Sequence, residues 1–525
     1  MKTIFTLLLT CITTLLLAQN NVPALTNVTA SIDTTTKQVT LTYDVSDTEN
    51  DTLEVSLRIS ADNGTTYLVQ NTNVTGAIGA GIIVGASKQI VWDYTTVSGA
   101  SGSYMFKIIA NDNKPVDIQA MVNSVDSMRL KADMQIIEAP RNYSTALTKI
   151  HEVRDTIYNR FTTLGLQTAT QNFVYGAYQA KNVIGKKQGL TQEDSVLIVD
   201  GHYDSVDYAP GADDNGSAVI GVLEAAKILS AYNFKKTIRF IGFDLEEQGL
   251  IGSKEYTNNG IKSYEKIKSV INFEMIGYYS TRKNSQTFPA GFNLLFPTAY
   301  NQVAADTFRG NFITNVANTA SASLRTAFNT NAALYVPDLK IVPITVSGTG
   351  TSVPDMRRSD HAPFWDKSIK ALMLTDGANF RNKNYHTTND VSDSLSFTFI
   401  TKVVKATIAT LATLAEPMHC GYEVVSLTVP NVIVNTPFKT KNTEKLVVTP
   451  NPANEKLNVN WESINWTATE IMLVDMYGKQ VYKAYPTEST RKNHSIFTEA
   501  LANGTYLLKV IGGNTMLTQK VIIKH

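Results

Sequence analysis

Cysteine is nearly absent from this chain: two among 525 residues, Cys11 and Cys420. Cys11 lies inside the N-terminal apolar run, so a chain trimmed of that run keeps one thiol and no internal disulfide. Stability must then come from core size or bound metal. Cys420 stands in the loop-like stretch "EPMHCGYE" at an expected boundary, which speaks against a reactive thiol. Charge of one sign is missing too: 47 Lys and Arg face 46 Asp and Glu, a net charge of +1. That balance offers neither a basic nucleic-acid surface nor an acidic tail. Beyond the N-terminus no apolar run reads as long enough to span a bilayer. No G-x-S-x-G motif occurs, so the nucleophile elbow of a serine hydrolase is missing.

What is present begins with "MKTIFTLLLTCITTLLLAQN", a lysine followed by an apolar run ending near Ala18. This reads as a secretory signal peptide over 1–18; Cys11 lies mid-run, where a lipoprotein signal does not place it. The remaining length calls for roughly two to four domains. Residues 19–116 alternate in period two. "KQVTLTYDVSD", "LEVSLRISADNG", "KQIVWDY" and "SYMFKIIAND" read as strands between Gly, Asn and Asp turns, an expected immunoglobulin-like β-sandwich. The glycine-rich "GAIGAGIIVG" (76–85) precedes a strand-like segment, not a helix, and reads as a loop, not a nucleotide cradle.

Over 117–418 the pattern changes. "STALTKIHEVRDTIYNRFTTLG" has helical spacing, with Ser144 expected as the cap and Gly165 as the stop. The apolar strands "DSVLIVDGHYD", "KTIRFIGFDLEE", "IKSVINFEMIGYY" and "IKALMLTDG" follow, with the helix "SAVIGVLEAAKILSAY" among them. Apolar strands alternating with helices imply an α/β domain: a central, mostly parallel mixed sheet flanked by helices. Sites in such sheets gather outside the carboxyl ends of the strands. The segment 280–355, with a helical "ANTASASLRTAFNT", is expected to shape a pocket. Residues 419–443 read as a linker and 444–525 as a second β-sandwich.

Polar residues fall at these strand ends. "VDGHYDS" supplies His202 and Asp204, "PGADDNGSA" Asp213 and Asp214, "DLEEQG" Glu246 and Glu247, "INFEMIGYY" Glu274, and "NYHTTND" Tyr385 and His386. Singly, each has a plain reading: a core histidine, acids capping a helix, solvated loop acids. Glu274 is harder to place that way. Among Phe273, Met275 and Ile276 a buried carboxylate needs a cation, and no Lys or Arg adjoins it in sequence. Together the residues have the donor types of a metal site, two imidazoles and several carboxylates, which suit Zn²⁺ or a similar ion. The carboxylates exceed what one open zinc site needs, and a two-metal site accounts for the excess.

The run "HYDSV…PGADDNGSA…EEQGLIGS…NFEMIGY…SDHAPF…YHTTND" closely resembles the M28 family of zinc metallopeptidases, leucyl-aminopeptidase-like group, over about residues 120–416. The resemblance implies a zinc exopeptidase-like fold, two Zn²⁺ ions per chain and metal-assisted hydrolysis of peptides at their N-terminus. By it, His202 and Glu274 would hold one zinc and His386 and Glu247 the other. Asp213 would bridge them, with a non-proline cis peptide at Asp213–Asp214. Glu246 would be the general base, Tyr385 would stabilise the oxyanion, and Asp204 would orient the His202 ring. Asp214, Asp360 and His361 are expected behind the ligands or in the pocket. Many members carry Asp where Glu274 stands. Within the same fold a glutaminyl cyclase or a carboxypeptidase remains open; paired acids in "ADDN" and Tyr before His386 speak against the cyclase. A catalytically inactive surface-binding protein is the alternative of another class. Residues 444–525, with "TPNPANEKLNV", "VDMYGKQV" and "NGTYLLKV", resemble the C-terminal sorting domain of type IX secretion. That implies contact with secretion machinery and a secreted or cell-surface location, with no transmembrane segment after signal cleavage.

Overall fold

The computed structural model describes residues 20–430 and 446–525, apart from 70, 96, 98–101, 462–467, 469, 476–478, 487–491 and 513–514. The signal-peptide reading of 1–18 and most of the expected linker lie outside the described residues. The chain divides into two compact units, Met1–Pro430 and Asn431–His525.

Eight strands of the first unit build one central sheet: β1 (Gln167–Tyr175), β2 (Tyr178–Lys187), β3 (Gln192–His202), β4 (Lys236–Phe243), β5 (Lys266–Glu274), β6 (Ile313–Asn318), β7 (Ile341–Val346) and β8 (Ala371–Thr375). Their order is β7-β6-β8-β5-β3-β4-β2-β1. β3–β4, β3–β5, β5–β8 and β6–β7 pair in parallel. β1–β2, β2–β4 and β6–β8 are antiparallel. The central strands are apolar on both faces because both are covered. Leu197 and Val199 of β3 join one core, Val196 and Ile198 the other. Against the first face lie helices α1 (Ser127–Ile137), α2 (Leu147–Thr163), α3 (Ala218–Leu229), α4 (Ala322–Tyr335) and α5 (Phe397–Ala415).

α2 begins without a side-chain cap. Ser144 turns away, its hydroxyl donating to Asn142 Oδ1, while Gly165 ends the segment at φ +72°. α5 corrects the expectation that no later segment could span a membrane. Its 19 residues are long and apolar enough for a span, yet the apolar stretch is 61% buried in the protein core.

Before the α/β domain stands a β-sandwich of two four-stranded sheets. One has the order 24–33, 38–46, 85–93, 74–76, and the other 420–429, 102–111, 53–60, 79–82. Its core centres on Trp92, packed by Tyr94, Tyr104 and Phe106. Two expectations are corrected here. The glycine-rich segment includes a short strand, Gly79–Ile82. Residues 420–429, expected as linker, form a ten-residue edge strand paired in register with Gly102–Asn111. Cys420 opens that strand, fully covered, its thiol pushed up to about 12 by burial.

The second unit is also all β. A three-stranded sheet (447–449, 456–460, 493–497) and a four-stranded sheet (480–484, 470–475, 504–512, 515–523) enclose Leu457, Trp461, Leu473 and Leu508.

Candidate metal centre

Parallel strands deliver their last residues to one edge of the sheet. β3 ends on His202 and β5 on Glu274, while the chain leaving β4 runs directly into Asp244–Glu247. Non-glycine residues turn left-handed beside these donors: Leu245 (φ 54°), Met275 (φ 54°) and His386 (φ 57°). Such a backbone costs an L-residue roughly 1–2 kcal/mol. After β4 it lets two neighbouring glutamates, which would point apart in a strand, reach one site.

His202 is fully buried. Its Nδ1 lies 3.3 Å from Asp204 Oδ1 and 3.2 Å from the Asp204 carbonyl oxygen. Its Nε2 faces Asp214 Oδ1 at 3.5 Å, Glu274 Oε2 at 3.6 Å and Glu246 Oε2 at 3.8 Å. His386 Nε2 faces Asp214 Oδ2 at 3.0 Å and Glu247 Oε2 at 3.4 Å. Asp204 also accepts the backbone N–H groups of Glu246 and Glu247, each at 3.1 Å. One carboxylate therefore orients the imidazole and positions both glutamates.

The place between the two histidines, where Asp213 was expected, is taken by Asp214. Asp214 lies between the imidazoles with one oxygen toward each. Asp213 is turned away, where its Oδ1 accepts the Gly277 N–H at 2.9 Å and its Oδ2 accepts from Asn382 Nδ2 at 2.8 Å. The cis peptide is shifted by the same one residue, to Asp214–Asn215. The fold imposes this choice through the loop around the acids. Gly211 sits at φ +62°, and a Cβ there would lie 2.5 Å from the Asp214 carbonyl oxygen. Asp390 accepts both N–H groups of Asp213 and Asp214 at 3.0 Å. Neither acid caps α3, whose N-cap, Ser217, makes no side-chain cap bond.

Electrostatics express the crowding. Burial opposes a charge on His202, but Glu246, Asp204, Asp214 and Glu274 more than reverse this and push its pKa well up. The same balance lifts His386 to about 10, with Asp214 and Glu247 as its partners. Burial works against the Asp214 carboxylate too, yet the two imidazoles hold its pKa below the usual range. Glu246 is pushed well up by burial and by Glu274, Glu247 and Asp360. Glu247 rises to about 7 through burial and the neighbouring Asp214. Carboxylates so close to one another need more positive charge than two imidazoles supply.

The donor set fits metal ions. His202 Nε2 and Glu247 Oε1 are sealed from solvent without a hydrogen-bond partner among the described residues. Two donor groups can each be spanned by one ion: His202, Glu246 and Glu274, and Asp214, Glu247 and His386. In both, nitrogen and carboxylate oxygen mix as zinc prefers. Glu246, expected to be metal-free, thus falls geometrically with the His202 group.

Of the remaining expected residues, Tyr385 stacks on His386 with ring centroids 3.7 Å apart. Asp360 is fully buried near His202, Asp204 and Glu274, and rises to about 7 by burial. His361 is neither behind the ligands nor in the pocket. Its ring packs edge-on to Trp365, with Nε2 2.9 Å from the Met356 carbonyl, and burial lowers its pKa to about 3. The first residue of a short helix (His361–Asp366), it points into the core under the second sheet face.

Several supporting residues went unread in the sequence. Ser359 donates to Glu274 Oε2 at 2.7 Å. Asn215 donates to the Phe273 carbonyl at 3.0 Å and accepts the Met275 N–H at 3.1 Å, clamping both neighbours of Glu274. Arg358 Nη2 donates to the Tyr385 hydroxyl at 2.9 Å. Fully buried Arg141 donates to five carbonyls, those of Tyr203, Ile137, Ala139, Pro210 and Gly211, and so holds the loop before the paired acids. Ser359, Asn215 and Asp390 stand inside the quoted motifs, a signal that could have found them; Arg141 and Arg358 carry none. Beside Glu274 opens an apolar cleft lined by Phe288, Phe292, Val316, Ile344, Met356 and Met373.

Two parts of the chain match known families. Residues 182–411 match peptidase family M28, and residues 447–524 match the secretion system C-terminal sorting domain. The uncharacterised protein YfbL of Escherichia coli (strain K12) is 27% identical over 309 residues, 54% of this chain and 90% of that protein. Aminopeptidase YwaD of Bacillus subtilis (strain 168) is 41% identical over 101 residues, 19% of this chain but only 22% of its own length. Among solved structures, the LapA aminopeptidase of Legionella pneumophila aligns over 58% of this chain and 78% of its own, at 20% identity and a TM-score of 0.43. Residues 182–411 thus form a domain of peptidase family M28, and residues 447–524 a secretion system C-terminal sorting domain.

Proposed function

We propose that the protein is an exported aminopeptidase that uses two zinc ions, one held by His202 and Glu274, the other by His386 and Glu247, with Asp214 shared between them. The single observation that carries this reading is the Asp214 carboxylate, set between two imidazoles that each have a further carboxylate of their own. That duplication speaks against a one-metal glutaminyl cyclase, and a full donor set speaks against an inactive binding protein. When bound, the zinc ions would polarise the scissile carbonyl and make a water acidic near neutral pH.

The chain's own residues supply the rest. Glu246, pushed well up by burial and neighbouring acids, takes the proton of the attacking water and passes it to the leaving amine. Its placement beside the site is fixed from the backbone, through its N–H bond to Asp204. Arg358 donates to the Tyr385 oxygen, which leaves the phenol's own hydrogen free for the oxyanion. Burial raises the Tyr385 pKa and keeps that hydrogen in place. The carboxylates around the site would receive the substrate's free amine, and the apolar cleft beside Glu274 suits an apolar first side chain. The sorting domain supports export to the cell surface or medium.

The test is metal content combined with substrate choice. We expect about two zinc ions per purified chain and chelator-sensitive release of an N-terminal apolar residue from a chromogenic amide. A chain that binds one ion and cyclises N-terminal glutamine, or that binds none, would refute the proposal.

A further inference from the structure

A second cluster of acids lies in the N-terminal sandwich. Asp47 directly follows the strand Gln38–Ser46, Asp51 precedes Leu53–Ser60, and Asp112 directly follows Gly102–Asn111. Each offers a carboxylate oxygen within 4.8 Å of the others. Asp47 is 7% exposed and Asp112 5%. The protein satisfies some of these oxygens. Asp47 Oδ1 accepts the N–H groups of Glu49 at 3.1 Å and Asp51 at 3.0 Å. Asp51 Oδ1 pairs with Lys114 Nζ at 3.1 Å. Asp112 Oδ1 accepts the Lys114 N–H at 2.9 Å. Asp112 Oδ2 meets His419 Nδ1 at 2.7 Å and Asn20 Nδ2 at 2.6 Å. Two oxygens remain: Asp47 Oδ2 and Asp51 Oδ2 are sealed from solvent with no donor among the described residues.

A buried, unpaired carboxylate oxygen is costly, and two beside a third acid repel each other as well. Lys114 is one cation against three carboxylates, and it reaches only the other oxygen of Asp51. What is missing is positive charge at Asp47 Oδ2 and Asp51 Oδ2. Opposite oxygens around a calcium ion, bound at about 2.3–2.6 Å, lie roughly 5 Å apart, so the observed spread fits one such ion. Every carboxylate donor is oxygen, unlike the histidine-bearing peptidase centre, which selects a hard cation over zinc. Mg²⁺ dehydrates reluctantly and rarely takes several carboxylates in a closed site.

We propose that Asp47, Asp51 and Asp112 form a calcium site. Asp112 opens the segment that leaves the sandwich for the α/β domain. His419, whose carbonyl accepts the Asp112 N–H at 3.4 Å, lies on the segment that returns. The ion ties the loop 47–51 to both crossings, and with them the two domains of the first unit.

The experiment uses the full-length chain, saturated with zinc and with its zinc content measured, titrated calorimetrically with CaCl₂ and separately with MgCl₂. We expect one calcium per chain beyond the zinc, with a Kd of about 10⁻⁴–10⁻³ M as in extracellular modules, and weaker magnesium binding. D47N should weaken calcium binding by about tenfold or more, since affinity follows the number of ligand charges. D51N, at a less buried position, should do the same, with hydrolysis of the chromogenic amide retained as proof of folding. Absence of calcium binding in the wild-type chain overturns the site. So does magnesium binding as tight as calcium, or unchanged calcium affinity in both variants.

Discussion

The two acidic clusters of the first unit are built alike in one respect and differ in another. Both gather carboxylates from separate segments of the chain, and both leave buried oxygens without partners. The cluster at the carboxyl edge of the central sheet adds two imidazoles and opens beside an apolar cleft. The sandwich cluster has only oxygen donors, with a lysine and a histidine on its flanks. The donor type thus separates a centre suited to activating water from one suited to holding chain segments together.

The comparison breaks most visibly at Asp214. Asp214→Ala should remove the shared ligand, strip metal from both positions and lower kcat/KM by at least about 10³-fold, a loss of several kcal/mol of transition-state stabilisation. Zinc analysis beside steady-state kinetics checks this. Asp213→Asn, one residue away, should retain the zinc; loss of both ions there instead would reverse the bridge assignment. Next in size is the glutamate pair. Glu246→Gln should keep the zinc and lose about 10²–10⁴-fold in kcat, whereas Glu247→Gln should lose the ion on the His386 side. Near-normal turnover of Glu246→Gln would leave the reaction without its assigned base. Asp204→Asn should weaken zinc binding by about 10–100-fold, as loss of a partner behind a ligand does, measured by competition with a chromophoric chelator.

The smallest effect concerns His361, a histidine outside both clusters. Its pKa, about 3 in the folded chain, lies below its ordinary value of 6.5. Between those values the unfolded chain binds the proton and the folded chain does not, so stability is full above about pH 6.5 and falls as pH drops toward 3. The slope from this ring is at most about 1.4 kcal/mol per pH unit. His361→Gln keeps a donor for the Met356 carbonyl and removes the titration. Its melting temperature should therefore fall less steeply than the wild type's between pH 6.5 and 4.5.

Much of the candidate site was legible because apolar strands stop at polar residues, and in a parallel sheet those stops share an edge. The paired acids were not. In "GADDNG" either aspartate could face the imidazoles, and the choice rests on backbone held by Gly211, Arg141 and Asp390, the last 176 residues away from Asp214. His361 read as a residue behind the ligands or in the pocket because "SDHAPF" sits among site motifs, but a helix start turned the ring into the core. The strand 420–429 read as linker because its alternation is weak and its partner lies some three hundred residues earlier.

The sequence alone determined the kinds of donor available, the sheet edge they would reach and the alternation of β and α/β domains, since these follow from local periodicity and from where apolar runs end. Only the tertiary structure decided which of two adjacent aspartates stands between the histidines, which histidine belongs to the core, and that Asp47, Asp51 and Asp112 meet at all. Those outcomes depend on backbone geometry and on pairings across dozens to hundreds of residues, which no local pattern encodes.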